Sequence, residues 1–160
     1  MSRAHLLRMT FFLALIATPW ARAAEPGPAP ASKPPITLKE FDALSRRAPV
    51  QGTDAQRQAF EKEVAAFGDS LKGRAIADRV ALSSVSEAPK SSGKPKTWTV
   101  LCGPTRDPAQ RLAVLLRTTS DKASDMTPGT EFSFTGKVEG ARYDAMAMMV
   151  IVLVGDAAIQ

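Results

Sequence analysis

The stretch EFSFTGKVEGARY, Glu131 to Tyr143, begins as a regular amphipathic β-strand and then breaks its own pattern. Phe132, Phe134 and Val138 fall on one face and Glu131, Ser133, Thr135 and Lys137 on the other, the period of two expected of a strand with one buried side. Gly136 occupies the apolar side, where a packing side chain belongs. A flat sheet has no use for such a gap. A sheet that curls on itself must turn corners, and a glycine or a bulge is the usual device. Gly136 therefore reads as a corner, with close approach of a ligand to bare backbone as the alternative.

The same period of two governs the chain from Gly73 onward. GRAIADRVALSSV forms a long first strand with Ile76, Val80 and Leu82 on one face. TWTVLCG follows with Trp98, Val100 and Cys102, then RLAVLLRTT with Leu112, Val114 and Leu116. The quoted stretch is the fourth strand and AMAMMVIVLVG the fifth. Turn-rich links separate them: SEAPKSSGKPK, GPTRDPAQ, SDKASDMTPG and EGAR. SDKASDMTPG has room for one helical turn. Five strands without crossover helices predict a mainly β fold, a small five-stranded antiparallel barrel over residues 71–160. Asp78 lies on the apolar face of the first strand, either as a buried carboxylate or, the favoured reading, turned out by a bulge. Met146, Met148 and Met149 read as packing residues of the fifth strand; a soft-metal site is the weaker alternative, since metal-site methionines usually come with cysteine or histidine and Met148 and Met149 must point to opposite faces of a strand. That strand, from Met146 to Val154, is apolar on both faces, so its outer face needs a cover.

Residues 36–70 are helical in pattern. ITLKEFDALSRRAP offers Thr37 and Glu40 as a capping box, Leu38, Phe41 and Leu44 at helical spacing, and Pro49 as a stop. A second helix opens at Thr53 or Asp54 and carries Ala59, Phe60, Val64 and Phe67 on one stripe, with Leu71 beyond. Its stripe is the expected cover for the outer face of the fifth strand, and the helical segment is the available plug for the barrel.

Residues 1–23 have the plan of a secretory signal: Arg3 and Arg8, an apolar run from Met9 to Ala17, Pro19, and the triplet Ala21-Arg22-Ala23 before an expected cleavage at Ala24. The run is shorter than the ~20 residues that span a bilayer. AEPGPAPASKPP, residues 24–35, is a Pro- and Ala-rich linker to a domain at 36–160. Cleavage removes Arg3, Arg8 and Arg22 from the 21 basic residues and leaves 18 against 16 acids, so the net charge falls from +5 to +2. The single histidine, His5, leaves with the signal. Histidine-based catalysis and His-containing zinc sites are then excluded. Cys102 has no disulfide partner in the chain and reads as a small core residue, with a reactive thiol as the alternative. The expected location is periplasmic or secreted, without stable membrane insertion.

LKGRAIADRVALSSV, TWTVLC and PGTEFSFTGKVEG resemble the strands of an OB-fold barrel, and among these the small exported bacterial OB-fold proteins related to the tRNA-anticodon-like group. The resemblance covers Leu71 to Gln160. It implies a ligand face on strands two and three, flanked by the loops joining strands one to two and four to five. Carried onto this chain, the implied ligand-binding residues are Lys94, Lys96, Thr99, Arg111, Arg117, Arg142 and Tyr143, with Lys90, Thr97, Leu101, Ala113 and Leu115 nearby. No catalytic residue, metal ligand or cofactor is expected. The expected function is non-enzymatic binding of an envelope protein or a small ligand; the alternative is nucleic acid or an anionic glycan on the same face. Trp98 is left open between core and ligand.

Overall fold

The computed structural model describes residues 33–88, 95–104 and 111–160; the expected signal, most of the linker, Lys90 and Lys94 lie outside them. A single 3-10 turn, Leu38–Phe41, runs into α1 (Asp42–Arg47), followed by α2 (Asp54–Ser70). Five strands follow: β1 (Ala75–Glu87), β2 (Trp98–Pro104), β3 (Leu112–Thr118), β4 (Glu131–Asp144) and β5 (Met149–Ile159). They form one mixed sheet that closes into a ring in the order β1-β2-β3-β5-β4. SDKASDMTPG holds the expected turn, a 3-10 segment at Asp121–Asp125 with Ala123 buried.

The ring is mixed, and the all-antiparallel expectation is corrected. β3 and β5 run parallel, with Leu112 beside Val150 and Leu116 beside Val154, while the other four pairings are antiparallel. The reason is arithmetic: strands that alternate in direction cannot close a ring with an odd number of members. Five strands force one parallel contact.

Gly136 is where β4 turns. The register against β5 slips between Thr135 and Lys137, and slips again between Val138 and Gly140. A Cβ at Gly136 would lie 2.5 Å from Val154 Cγ1 and 3.0 Å from the Gly155 carbonyl oxygen. The missing side chain is space taken by β5. The bulge on β1 falls between Leu82 and Ser84, not at Asp78, which pairs regularly with Phe134. Asp78 instead accepts a hydrogen bond from the Leu38 backbone N–H (2.8 Å) through Oδ2 and one from the Arg79 N–H through Oδ1. It thus replaces the expected Thr37 cap, because the Thr37 side chain makes no capping bond. The α2 capping box does form, between Thr53 and Gln56.

The ring interior is filled by Ile76, Val80, Val100, Val114, Leu116, Phe134, Val138, Val150, Val152 and Val154. Leu38, Phe41 and Leu44, with Phe60 and Val64 of α2, extend this core. The helices are therefore part of the core, as expected of a plug. α2 does not cover the outer face of β5, while α1 touches β5. α2 rests on β4, where Phe60 meets Tyr143 edge to face at 5.0 Å and Gly68 approaches Ala141. Ala141 and Tyr143 pair with Val152 and Val150, so their side chains belong to the inner face. The helix stripe follows that face inward.

β5 also starts later than its apolar pattern suggests. Met146 and Met148 lie in the turn between β4 and β5, where Asp144 Oδ1 accepts from the N–H groups of Met146 (2.9 Å) and Ala147 (3.0 Å). Met148 adopts φ 52° and Met146 is 95% exposed, so neither packs in a strand. Cys102 is buried in β2, and burial pushes its thiol up to about 12. The thiolate is the reactive form. Native protein at pH 8 is expected to resist a thiol-labelling reagent that modifies the urea-unfolded chain, as mass spectrometry would read.

Candidate functional site

Alternation along β2, β3 and β5 divides their residues cleanly. Val100 and Cys102, then Leu112, Val114 and Leu116, then Val150, Val152 and Val154 point inward and are buried. Thr99 and Leu101, then Ala113, Leu115 and Arg117, then Ile151 and Leu153 take the outer face. Register lines these up across the strands. Leu101 lies beside Leu115, and Leu115 beside Leu153, giving a transverse row of three half-buried leucines. Beside it, Ala113 neighbours Ile151, which neighbours Arg142; Ala113 and Ile151 are 5% and 6% exposed. On the other side of the leucine row Thr99 pairs with Arg117.

The outer face of β1 and β4 is of another kind. Arg79 stands beside Ser133, Ala81 beside Glu131, Ala77 beside Thr135 and Ala75 beside Lys137. Its charges are paired, Arg79 with Glu131 at 3.1 Å and Lys137 with Asp156 at 3.6 Å. One side of the ring is polar and the other aliphatic.

The residues implied by the resemblance divide in the same way. Thr99, Arg117 and Arg142 lie on the outer aliphatic side. Arg117 forms an ion pair with Glu139 at 3.3 Å, whereas no ion pair joins Arg142 to a described residue. Arg111 sits where the chain enters β3 and donates to the Ala48 carbonyl oxygen at 3.3 Å. Lys96 lies apart from these, against Glu87 (3.2 Å) and 4.2 Å above the Trp98 ring. Lys94 is outside the described residues. Tyr143 lies in the interior: it is 6% exposed and its hydroxyl donates to the Pro49 carbonyl oxygen at 2.8 Å. Trp98 faces the core, half-buried and opposite Thr118.

Sequence reasoning missed Leu153 as a member of this surface; Ile151 faces the same way but is buried. The signal was present, since β5 is apolar on both faces, but assigning it needed the parallel β3–β5 contact. Two hollows also escaped it. One of about 390 Å3 is lined by Arg47, Pro49, Gln51, Gln56, Phe60 and Glu63, and one of about 230 Å3 by Asp54, Arg57, Glu61 and Tyr143 among others. Both flank α2. In the first, Arg47 and Glu63 already satisfy each other at 2.7 Å. Among the described residues no group of three His, Cys, Asp or Glu is placed to hold a metal, and no helix is long and apolar enough to cross a membrane.

No protein-family profile matches the chain, and no curated protein matches it in sequence. Among solved structures it is similar to one from Klebsiella pneumoniae described as a "putative nucleic acid-binding lipoprotein", with 10% identity and a TM-score of 0.47 over 69% of this chain and 99% of that one.

Proposed function

We propose that the protein is an exported, non-enzymatic binding protein built on an OB-type barrel, and that it takes a protein or small ligand on the outer face of β2, β3 and β5. One observation carries this reading: Leu101, Leu115 and Leu153 are aligned across three strands on the outside of a ring whose other outer side is polar. A closed five-stranded ring in which the long β1 pairs with both β2 and β4 supports the barrel. The signal-like residues 1–23 support export to the periplasm or beyond. A chain with no histidine after residue 23, and with its only thiol held protonated, supports binding over catalysis.

The second reading, nucleic acid or an anionic glycan, draws on Arg111, Arg117 and Arg142. Single strands are held largely by stacking on aromatic side chains, at roughly 1–3 kcal/mol per base. Trp98 and Tyr143 are both turned to the core, and no other aromatic residue of the described chain lies on this face. The first reading is therefore preferred. Envelope extract passed over immobilised protein is expected to leave a component that a Leu115→Thr, Leu153→Thr double variant fails to retain. A single-stranded oligonucleotide should show no saturable binding at moderate salt. Oligonucleotide binding with a steep salt dependence, equal in both proteins, would reverse the preference.

A further inference from the structure

We propose that the turn between β4 and β5 binds a soft monovalent metal ion, Cu(I) or its analogue Ag(I), through the thioethers of Met146, Met148 and Met149. The site is separate from the leucine row. Two residues of the turn break ordinary local rules. Met148 holds φ 52°, a left-handed backbone that favours glycine and is uncommon for a long side chain. Met146 is 95% exposed, the most open large apolar side chain among the described residues. Glycine, asparagine or another turn former would serve the same backbone better. Departures of this kind concentrate where function, not folding, selects the residue.

Core packing accounts for neither residue. In a strand, Met148 and Met149 would point to opposite faces, but Met148 precedes β5 and its left-handed backbone ends that alternation. Both are half-buried, so both keep access to solvent. The turn is also tightly closed. Asp144 pairs with Met149 across the hairpin, which leaves residues 145–148 as the loop, and Asp144 Oδ1 accepts from the N–H groups of Met146 and Ala147 at 2.9 and 3.0 Å. Consecutive Cα atoms are about 3.8 Å apart, so those of Met146 and Met148 lie within about 8 Å and those of Met146 and Met149 within about 11 Å. Methionine has several rotatable bonds and a polarisable sulfur, so three thioethers rooted this closely can converge on one ion.

The donor set decides the metal. Thioethers are soft and uncharged, and they suit Cu(I) or Ag(I) better than Zn(II) or Cu(II), which need imidazole or thiolate. No histidine lies among the described residues, and Cys102 is buried in β2. Charge is permissive as well. Asp54 and Glu61 share a hollow with Ala145 and Arg57, while Asp144 and Arg142 lie on the β4 side of the hairpin. Acids outnumber bases in that set, which favours a cation over an anion.

Silver nitrate in chloride-free buffer, titrated into the chain labelled at its methionine methyls, tests the site by NMR and native mass spectrometry. One ion per chain is expected. The methyl resonances of Met146, Met148 and Met149 should shift together, while that of Met126, packed against the core, stays in place. Zn(II) at the same concentration should shift none of them. Replacing all three by leucine keeps the apolar bulk and should weaken silver binding by at least about a hundredfold, the upper end for disturbing the supporting shell of a metal site. Cys102→Ala should bind as the natural chain does. A shift confined to Met146 overturns the proposal, because a lone exposed thioether takes silver without a site. Undiminished binding by the triple leucine variant, or silver that moves none of the three methyls, overturns it too.

Discussion

Phe41→Ala is expected to lower the unfolding free energy by about 3–5 kcal/mol, the range for truncating a buried aromatic side chain to alanine. Phe41 has no exposed surface and meets Phe67 edge to face, with ring centroids 5.4 Å apart. It sits where the 3-10 turn passes into α1, between Leu38, whose N–H is held by Asp78 of β1, and Leu44 of the same buried stripe. The truncation therefore opens a cavity where helices and ring share one core, and little neighbouring backbone is free to collapse into it. Urea denaturation should show one transition moved to lower denaturant with an unchanged slope. A loss of under about 1 kcal/mol would mean that the helical segment packs on the ring without contributing to its core.

Gly68→Ala is expected to destabilise by about 1–3 kcal/mol, the cost of forcing extra volume into a packed contact. Helix propensity alone predicts the opposite sign, a gain of about 1 kcal/mol inside a helix such as α2. The contact decides. A Cβ on Gly68 would overlap the Ala141 backbone nitrogen and lie 2.9 Å from the Ala141 Cβ and from the Gly140 carbonyl carbon. Backbone does not swing aside as a side-chain tip does, so α2 must lift from β4 and loosen the Phe60–Tyr143 contact. Thermal unfolding of this variant beside Gly52→Ala, in the loop before α2, gives the comparison. A stabilised Gly68→Ala would show that the helix does not approach the strand this closely.

These two positions mark the limits of what the sequence discloses. Phe132, Phe134 and Val138 at period two, and Phe60 and Val64 at helical spacing, were legible because each element's buried side is written in its own residues. Gly136 was legible as an interruption, and proved to be the place where β4 bends against β5. The parallel β3–β5 contact was available from counting strands in a closed ring, yet it is not written in either strand's composition. Asp78 shows the opposite limit. A carboxylate on an apolar face suggests a bulge until its acceptor role is known, and that role depends on Leu38, forty residues away. Tyr143 was placed on the ligand side because loop position is readable and side-chain direction is not: the bulge after Val138 sets its face, and Pro49 receives its hydroxyl. Thr99, Arg117 and Arg142 were found on the outer surface, while Leu153 came to it only through pairing.

A binding role for this face requires the leucine row to be open to ligand while its alternating neighbours are sealed in the ring. Methyl NMR with a soluble paramagnetic probe tests this directly. The methyls of Leu101, Leu115 and Leu153 should broaden strongly as the probe is added, while those of Val100, Val114 and Val152 stay sharp. Leucine methyls as protected as the valines would mean that the outer face of β2, β3 and β5 is already covered within the chain, and would contradict its assignment as a binding surface.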